Sequence, residues 1–151
     1  MPHANSREPR DVIEFLLQSL AGKDLVAVAD LYADDAVVRQ PFAKPEIVLT
    51  GRAEIEQFLG VLNRAPITLS PRDIQVHRTA DPEVVVGEWD NDMTRTTDGA
   101  TASMHNIAVF CVRDGRVAWS RDYHDHAVLA GSCPDPTLTR RAPGRPATRK
   151  W

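Results

Sequence analysis

Long apolar runs are missing from this 151-residue sequence: none approaches the roughly 18 residues that a membrane span requires. The stretch from Met1 to Asp11 has no apolar signal-peptide core, so a cytoplasmic setting is expected. Cysteine is scarce. Cys111 and Cys133 alone support neither a disulfide scaffold nor a cysteine-rich zinc site. No heptad pattern or long repeat recurs, which sets aside coiled coils and solenoids. There is no glycine-rich phosphate loop and no G-x-S-x-G elbow, so nucleotide-binding and serine-hydrolase readings have no motif behind them.

What remains is the composition of one soluble domain, 42% hydrophobic and 26% charged, long enough to bury a core. Charge is unevenly spread. The formal net charge is −3, yet Arg140, Arg141, Arg145, Arg149 and Lys150 crowd the last sixteen residues without an acid. Without those five positive charges, residues 1–135 carry −8, which argues against nucleic-acid binding. Four prolines and few large apolar residues mark 131–151 as a disordered basic tail, and 1–7 as a flexible start. The domain proper is expected over 8–130.

Three helices come first. Pro9 and Asp11 suit a helix start, Gly22 suits its end, and Val12, Ile13, Leu16, Leu17 and Leu20 make one apolar stripe. Asp24 caps a short second helix with Leu25, Val28, Leu31 and Tyr32 inward, which Ala33-Asp34-Asp35 breaks. Ala36 to Gln40 reads as a strand and 41–50 as a loop. Ile55, Phe58, Leu59 and Leu62 have the spacing of an amphipathic third helix opening at Thr50 or Gly51. The rest is strand-like: Ile67–Thr79, Val84–Thr97, Ala102–Arg113 and Val117–His126. Pro71 confines the first to an edge or a bulge, and Asp114-Gly115 is a two-residue hairpin turn. The class is α+β: a cone-shaped, curved, mainly antiparallel sheet packed against three N-terminal helices around a pocket.

Strand alternation selects the inward side chains. Glu88, Asp90 and Asp92 form a row that belongs in water, which turns Trp89, Asn91 and Met93 inward. Asn91 is polar in an apolar row, so it either closes a structural bond or meets a ligand. Ala102–Arg113 is apolar on both sides and should be central; alternation alone does not say which face is inward. The last strand places Ser120, Asp122, His124 and His126 on one side, with Arg121 and Tyr123 on the other. Burial would raise the Asp122 pKa and suit it to proton transfer near neutrality. Its alternative is a structural ion pair with Arg121. Asp122, His124 and His126 are also formally a metal-ligand set, but three side chains in line along a strand rarely converge, and no metal is expected. His3 and His77 read as surface residues.

Leu31-Tyr32-Ala33-Asp34-Asp35-Ala36, the helix-opening Gly51-Arg52 and the hairpin ending in Asp114-Gly115-Arg116-Val117, Trp119 and Arg121-Asp122-Tyr123 together resemble the nuclear transport factor two-like (SnoaL-like) superfamily over about residues 8–130. Arg121-Asp122-Tyr123-His124-Asp125 is similar to a limonene-epoxide hydrolase ending whose first aspartate is catalytic. Trp89 and Asn91 stand where that family has an arginine and a second aspartate, and Val38 and Gln40 where it holds the attacking water. Compared with ketosteroid isomerases, Gln40 replaces the base aspartate and Ala108 the buried acid. SnoaL-like polyketide cyclases conflict least. That resemblance implies a cofactor-independent enzyme with Asp122 as general acid/base and His124 assisting. Gln40, Asn91 and Asn106 would orient a carbonyl or hydroxyl, within a wall of Leu17, Leu20, Val38, Leu62, Trp89, Met93 and Met104. The even face of Ala102–Arg113 would then line the pocket. The expected substrate is a small apolar natural-product intermediate, the expected assembly a homodimer through the sheet. Epoxide hydrolysis and a non-catalytic binding role are the alternatives.

Overall fold

The structure, a computed structural model, describes residues 7–22 and 24–132. Of the flexible start expected over 1–7 and the basic tail expected over 131–151, residues 1–6 and 133–151 lie outside the described residues. Helix α1 (Pro9–Ser19) has proline in its first turn and buries Val12, Ile13, Leu16 and Leu17, the predicted stripe. The second helix is a tighter 3₁₀ segment, Val26–Leu31, with the Asp24 carboxylate accepting the Ala27 N–H at 3.2 Å. Helix α2 (Arg52–Arg64) starts after Gly51, whose φ of 86° disfavours a residue with a side chain. Among the described residues, no helix is long and apolar enough to cross a membrane.

Six strands form one curved, unclosed sheet: β1 (Tyr32–Gln40), β2 (Ile47–Thr50), β3 (Ile67–Arg78), β4 (Val84–Arg95), β5 (Thr101–Arg113) and β6 (Arg116–His124). Their spatial order is β2-β1-β6-β5-β4-β3. Every pairing is antiparallel except β1 with β6, so the sheet is mixed. The Asp-Gly turn forms as expected, with both Asp114 and Gly115 at positive φ.

Three expectations are corrected. Residues 41–50 are not all loop: Ile47–Thr50 pairs with β1, an apolar and β-branched run that the flanking prolines disguise. Strand β1 begins at Tyr32, four residues early, because a register shift between Tyr32 and Val37 lets the acidic stretch stay extended with Asp34 and Asp35 exposed. The last strand stops at His124. Residues His126–Ser132 form a helix, α3, whose first N–H groups, on Ala127 and Val128, are accepted by the Asp125 carboxylate at 3.1 and 3.2 Å. Strand β5 is central in the sheet, as expected, and its odd face is exposed at Ser103, His105 and Ile107, with Cys111 buried.

The even face of β5 (Met104, Asn106, Ala108, Phe110) is buried and looks toward the helices. Gly87 on β4 sets how closely α1 lies on this face. A Cβ there would sit 3.2 Å from Leu17 Cδ1 and 3.3 Å from Phe110 Cε2. Gly87→Ala therefore pushes α1 away from the sheet. Urea unfolding is expected to show a loss of roughly 1–3 kcal/mol, the usual range for an overpacked core.

Candidate active site

A cavity of about 120 Å³ lies between the inner face of the sheet and the helices. The register places its polar residues. Ala108 lies between Asp122 and Gly87 across β6, β5 and β4, and in the next row Asn106 lies between His124 and Trp89. One row further, Asn91 pairs with Met104. Since alternate side chains share a face, Asp122, His124, Trp89 and Asn91 all project to one side.

The structure brings Gln40, Trp89, Asn91, Met104, Asp122 and His124 together on the cavity wall, with Leu17, Leu20, Val38 and Leu62 opposite or beside them. Met93 is buried but does not line the cavity, because it lies one row beyond Asn91, paired with Ala102 and Leu69. Asn106 also lies behind the cavity surface: its amide is taken up by protein partners. His126 leaves the strand direction as α3 begins, its ring 6.0 Å from that of His124. Arg121 sits over the Trp119 ring at 5.1 Å, so Asp122 is not its salt-bridge partner.

Ten of the residues that line the cavity are not among the predicted site residues, and Tyr32 and Leu129 are two of them. Tyr32 was assigned only to the inward side of the second helix. Its phenol reaches the wall, and burial, with the Asp122 charge adding to it, holds the phenol protonated. Leu129 arrives on α3, for which the only sequence signal was Asp125 as a cap.

Asp122 and His124 form the chemical centre. Their side chains are only 14% and 18% exposed, and Asp122 Oδ2 is 3.9 Å from His124 Nε2. Loss of water pushes the carboxyl up to about 6, with the Ser120 hydroxyl acting against it. The same loss pushes the imidazole down to about 4. Asp122 Oδ1 has no hydrogen-bond partner among the described residues.

The neighbours of Asn106 fix the tautomer of His124. Backbone carbonyls of Met104 and Trp89 accept from Asn106 Nδ2 at 3.0 and 3.4 Å. Carbonyls can only accept, so the amide cannot be turned around, and Oδ1 must face His124 Nδ1 at 2.8 Å. Nδ1 therefore carries the proton. Nε2 presents a lone pair toward Asp122, and the Trp89 ring packs against the imidazole edge-on at 5.9 Å. Between about pH 4 and pH 6 a protonated carboxyl and a neutral imidazole nitrogen share one wall, flanked by leucines.

The pair changes how stability depends on pH. Raising the Asp122 pKa means that its contribution is lost as pH rises from the unfolded value of 3.8 to about 6. Lowering the His124 pKa means that its contribution is gained from about 4 up to 6.5. The two slopes oppose each other in the wild type. Relative to it, Asp122→Asn is expected to make stability climb with pH over this window, by an amount on the order of 3 kcal/mol. His124→Gln is expected to make it fall. Urea titrations at stepped pH check both signs.

The family of SnoaL-like domains matches residues 12–120 of the chain. An uncharacterised PhzA/B-like protein of Pseudomonas aeruginosa is 27% identical over 116 residues, which is 76% of this chain and 82% of that protein. A phenazine biosynthesis-related protein of the same organism has a similar structure, with a TM-score of 0.71 at 18% identity over 92% of this chain and 93% of its own. An epoxide hydrolase/cyclase-like enzyme of pyran ring formation in the polyether salinomycin gives 0.64 at 15% identity, covering 80% and 92%.

Proposed function

The chain belongs to the SnoaL-like domain family, and we propose that it is a cofactor-independent general acid/base enzyme that closes a ring in a small, largely apolar natural-product intermediate. One observation carries the reading: a carboxyl with its pKa raised to about 6 faces the lone pair of a neutral imidazole at 3.9 Å inside an apolar cavity. An acid and a base in one place are what ring closure needs, and the apolar wall keeps competing water out.

Two routes use the pair differently. In epoxide opening, the Asp122 hydroxyl gives its proton to the epoxide oxygen as the C–O bond breaks. A hydroxyl of the same substrate attacks the freed carbon and passes its proton to His124 Nε2. In aldol closure, ionised Asp122 removes a proton next to a carbonyl, the carbanion attacks a second carbonyl, and the proton returns to the new alkoxide. Both routes leave the atoms of the substrate unchanged in number. Tyr32, held protonated, is placed to donate to a developing oxyanion.

Epoxide hydrolysis is the nearest alternative, with water replacing the substrate hydroxyl. Trp89 and Asn91 cannot supply the positive charge and second carboxylate by which limonene-epoxide hydrolases activate that water. The likeness to an epoxide hydrolase/cyclase-like structure supports the fold these chemistries share.

The proposal extends to assembly. The outer sheet face presents Ile107, 41% exposed, and an exposed Phe42 packed edge-on against Tyr123 at 5.2 Å, a surface that a second copy would cover. Sedimentation equilibrium is then expected to return twice 16.7 kDa. Against a panel of polyketide and terpenoid epoxides and polyketones, Asp122→Asn should lower kcat/KM by about 10²–10⁴-fold while retaining the fold. In the wild type, epoxide opening should weaken above pH of about 6 and aldol closure should strengthen there. Undiminished turnover by Asp122→Asn would leave only a binding role.

A further inference from the structure

The cavity wall carries polar atoms that the acid/base pair does not use. Trp89 is 4% exposed and Asn91 is 3% exposed. Trp89 Nε1 and Asn91 Oδ1 are both buried without a hydrogen-bond partner among the described residues. Buried polar groups are almost always paired, and two orphans facing the same cavity from one strand are rarely left so by a protein without a use for them. Both residues are on β4, two positions apart on one face, whereas Asp122 is on β6 with β5 between. Trp89 is level with His124 and Asn91 one row further from Asp122. The polar groups therefore run diagonally across the sheet, from Asp122 at one end, through His124 with the Trp89 ring edge-on against it, to the Asn91 amide at the other.

We infer that the ligand carries a second oxygen function remote from the reacting one, a ketone or ester carbonyl that the Trp89 N–H and the Asn91 amide bind. This deepens the acid/base reading above and takes from it the identity of the reacting end. An indole nitrogen can only donate, so the group it meets must accept. The Asn91 amide can turn to donate beside it. The size of the cavity limits the body between the two ends. A dry cavity of about 150 Å³ holds a benzene ring, and this one measures about 120 Å³. The enclosed part of the ligand is thus one six-membered ring or an equivalent chain, with no enclosed room for a second fused ring. Trp89 and Asn91 are here specificity residues: they choose the substrate's orientation, and Asp122 acts on the far end.

The test is binding, read apart from turnover. The sequence has three tryptophans, so a nitrogen-15 correlation spectrum shows few indole N–H signals, and Trp89→Phe identifies the one that belongs to Trp89. Titration with cyclohexanone should move that signal downfield. Methylenecyclohexane, the same shape without the oxygen, should not move it downfield, and decalone should not enter. Asn91→Leu should weaken cyclohexanone about tenfold or more and leave methylenecyclohexane unaffected. Equal binding of the two rings with no indole shift, or unhindered entry of decalone, would overturn the inference. Because the indole shift is read on the wild-type chain, a variant that fails to fold does not remove the test. Asp122→Asn separates the two proposals. It should keep the cyclohexanone-induced shift, and it should lose turnover only if the acid/base reading holds.

Discussion

Removing a carboxyl and an imidazole from water together decides where their shared proton resides. In an unfolded chain near pH 5, Asp122 would be ionised and His124 protonated. In the folded protein the order is reversed: the carboxyl pKa lies near 6 and the imidazole pKa near 4. The number of bound protons is unchanged, but two charges have become none. A cavity lined by leucines cannot solvate an ion pair, and at 3.9 Å the groups are too far apart for a direct hydrogen bond to compensate. The neutral arrangement holds a donor and an acceptor ready at the same time, and folding itself sets it up.

The rest of the scaffold serves that arrangement. Strand β5 contributes no reacting group, yet Asn106 at its centre ties the β4 and β5 backbones to the His124 ring. A neutral imidazole could otherwise present either nitrogen. Ala108, small and fully buried, sits beside Asp122 in the sheet, and Gly87 beside Ala108, so a row of shrinking side chains lets α1 come down close on β4. Leu129 from α3 closes over the same space from the other end of the chain.

Much of this was legible in the sequence where the pattern is local. The acidic row Glu88, Asp90, Asp92 turned Trp89, Asn91 and Met93 inward, and all three are buried. The Asp-Gly turn and Pro71 on an edge strand read directly from backbone chemistry. Other features depend on partners distant in the chain. Strand β2 is too short for periodicity to register, and it exists because β1 is there to pair with it. Tyr32 belongs to the cavity only through the register shift that carries it onto the sheet. Asn106 entered the expected site only through the family resemblance that turned the even face of β5 inward, and the face a residue occupies does not say whether its hydrogen bonds are already taken.

The open sheet has two free margins, and each is blunted. At one, β2 offers only four residues. At the other, β3 carries Pro71, which has no N–H to give, and then an irregularity between Arg72 and Gln75 where Asp73 takes a φ of 53°. Arg72 there is engaged with Asp73, Asp90 and Asp92. A foreign strand would find no regular ladder to extend at either border. The fold can therefore keep its sheet unclosed, as the cavity requires, without becoming a template for fibrous aggregation.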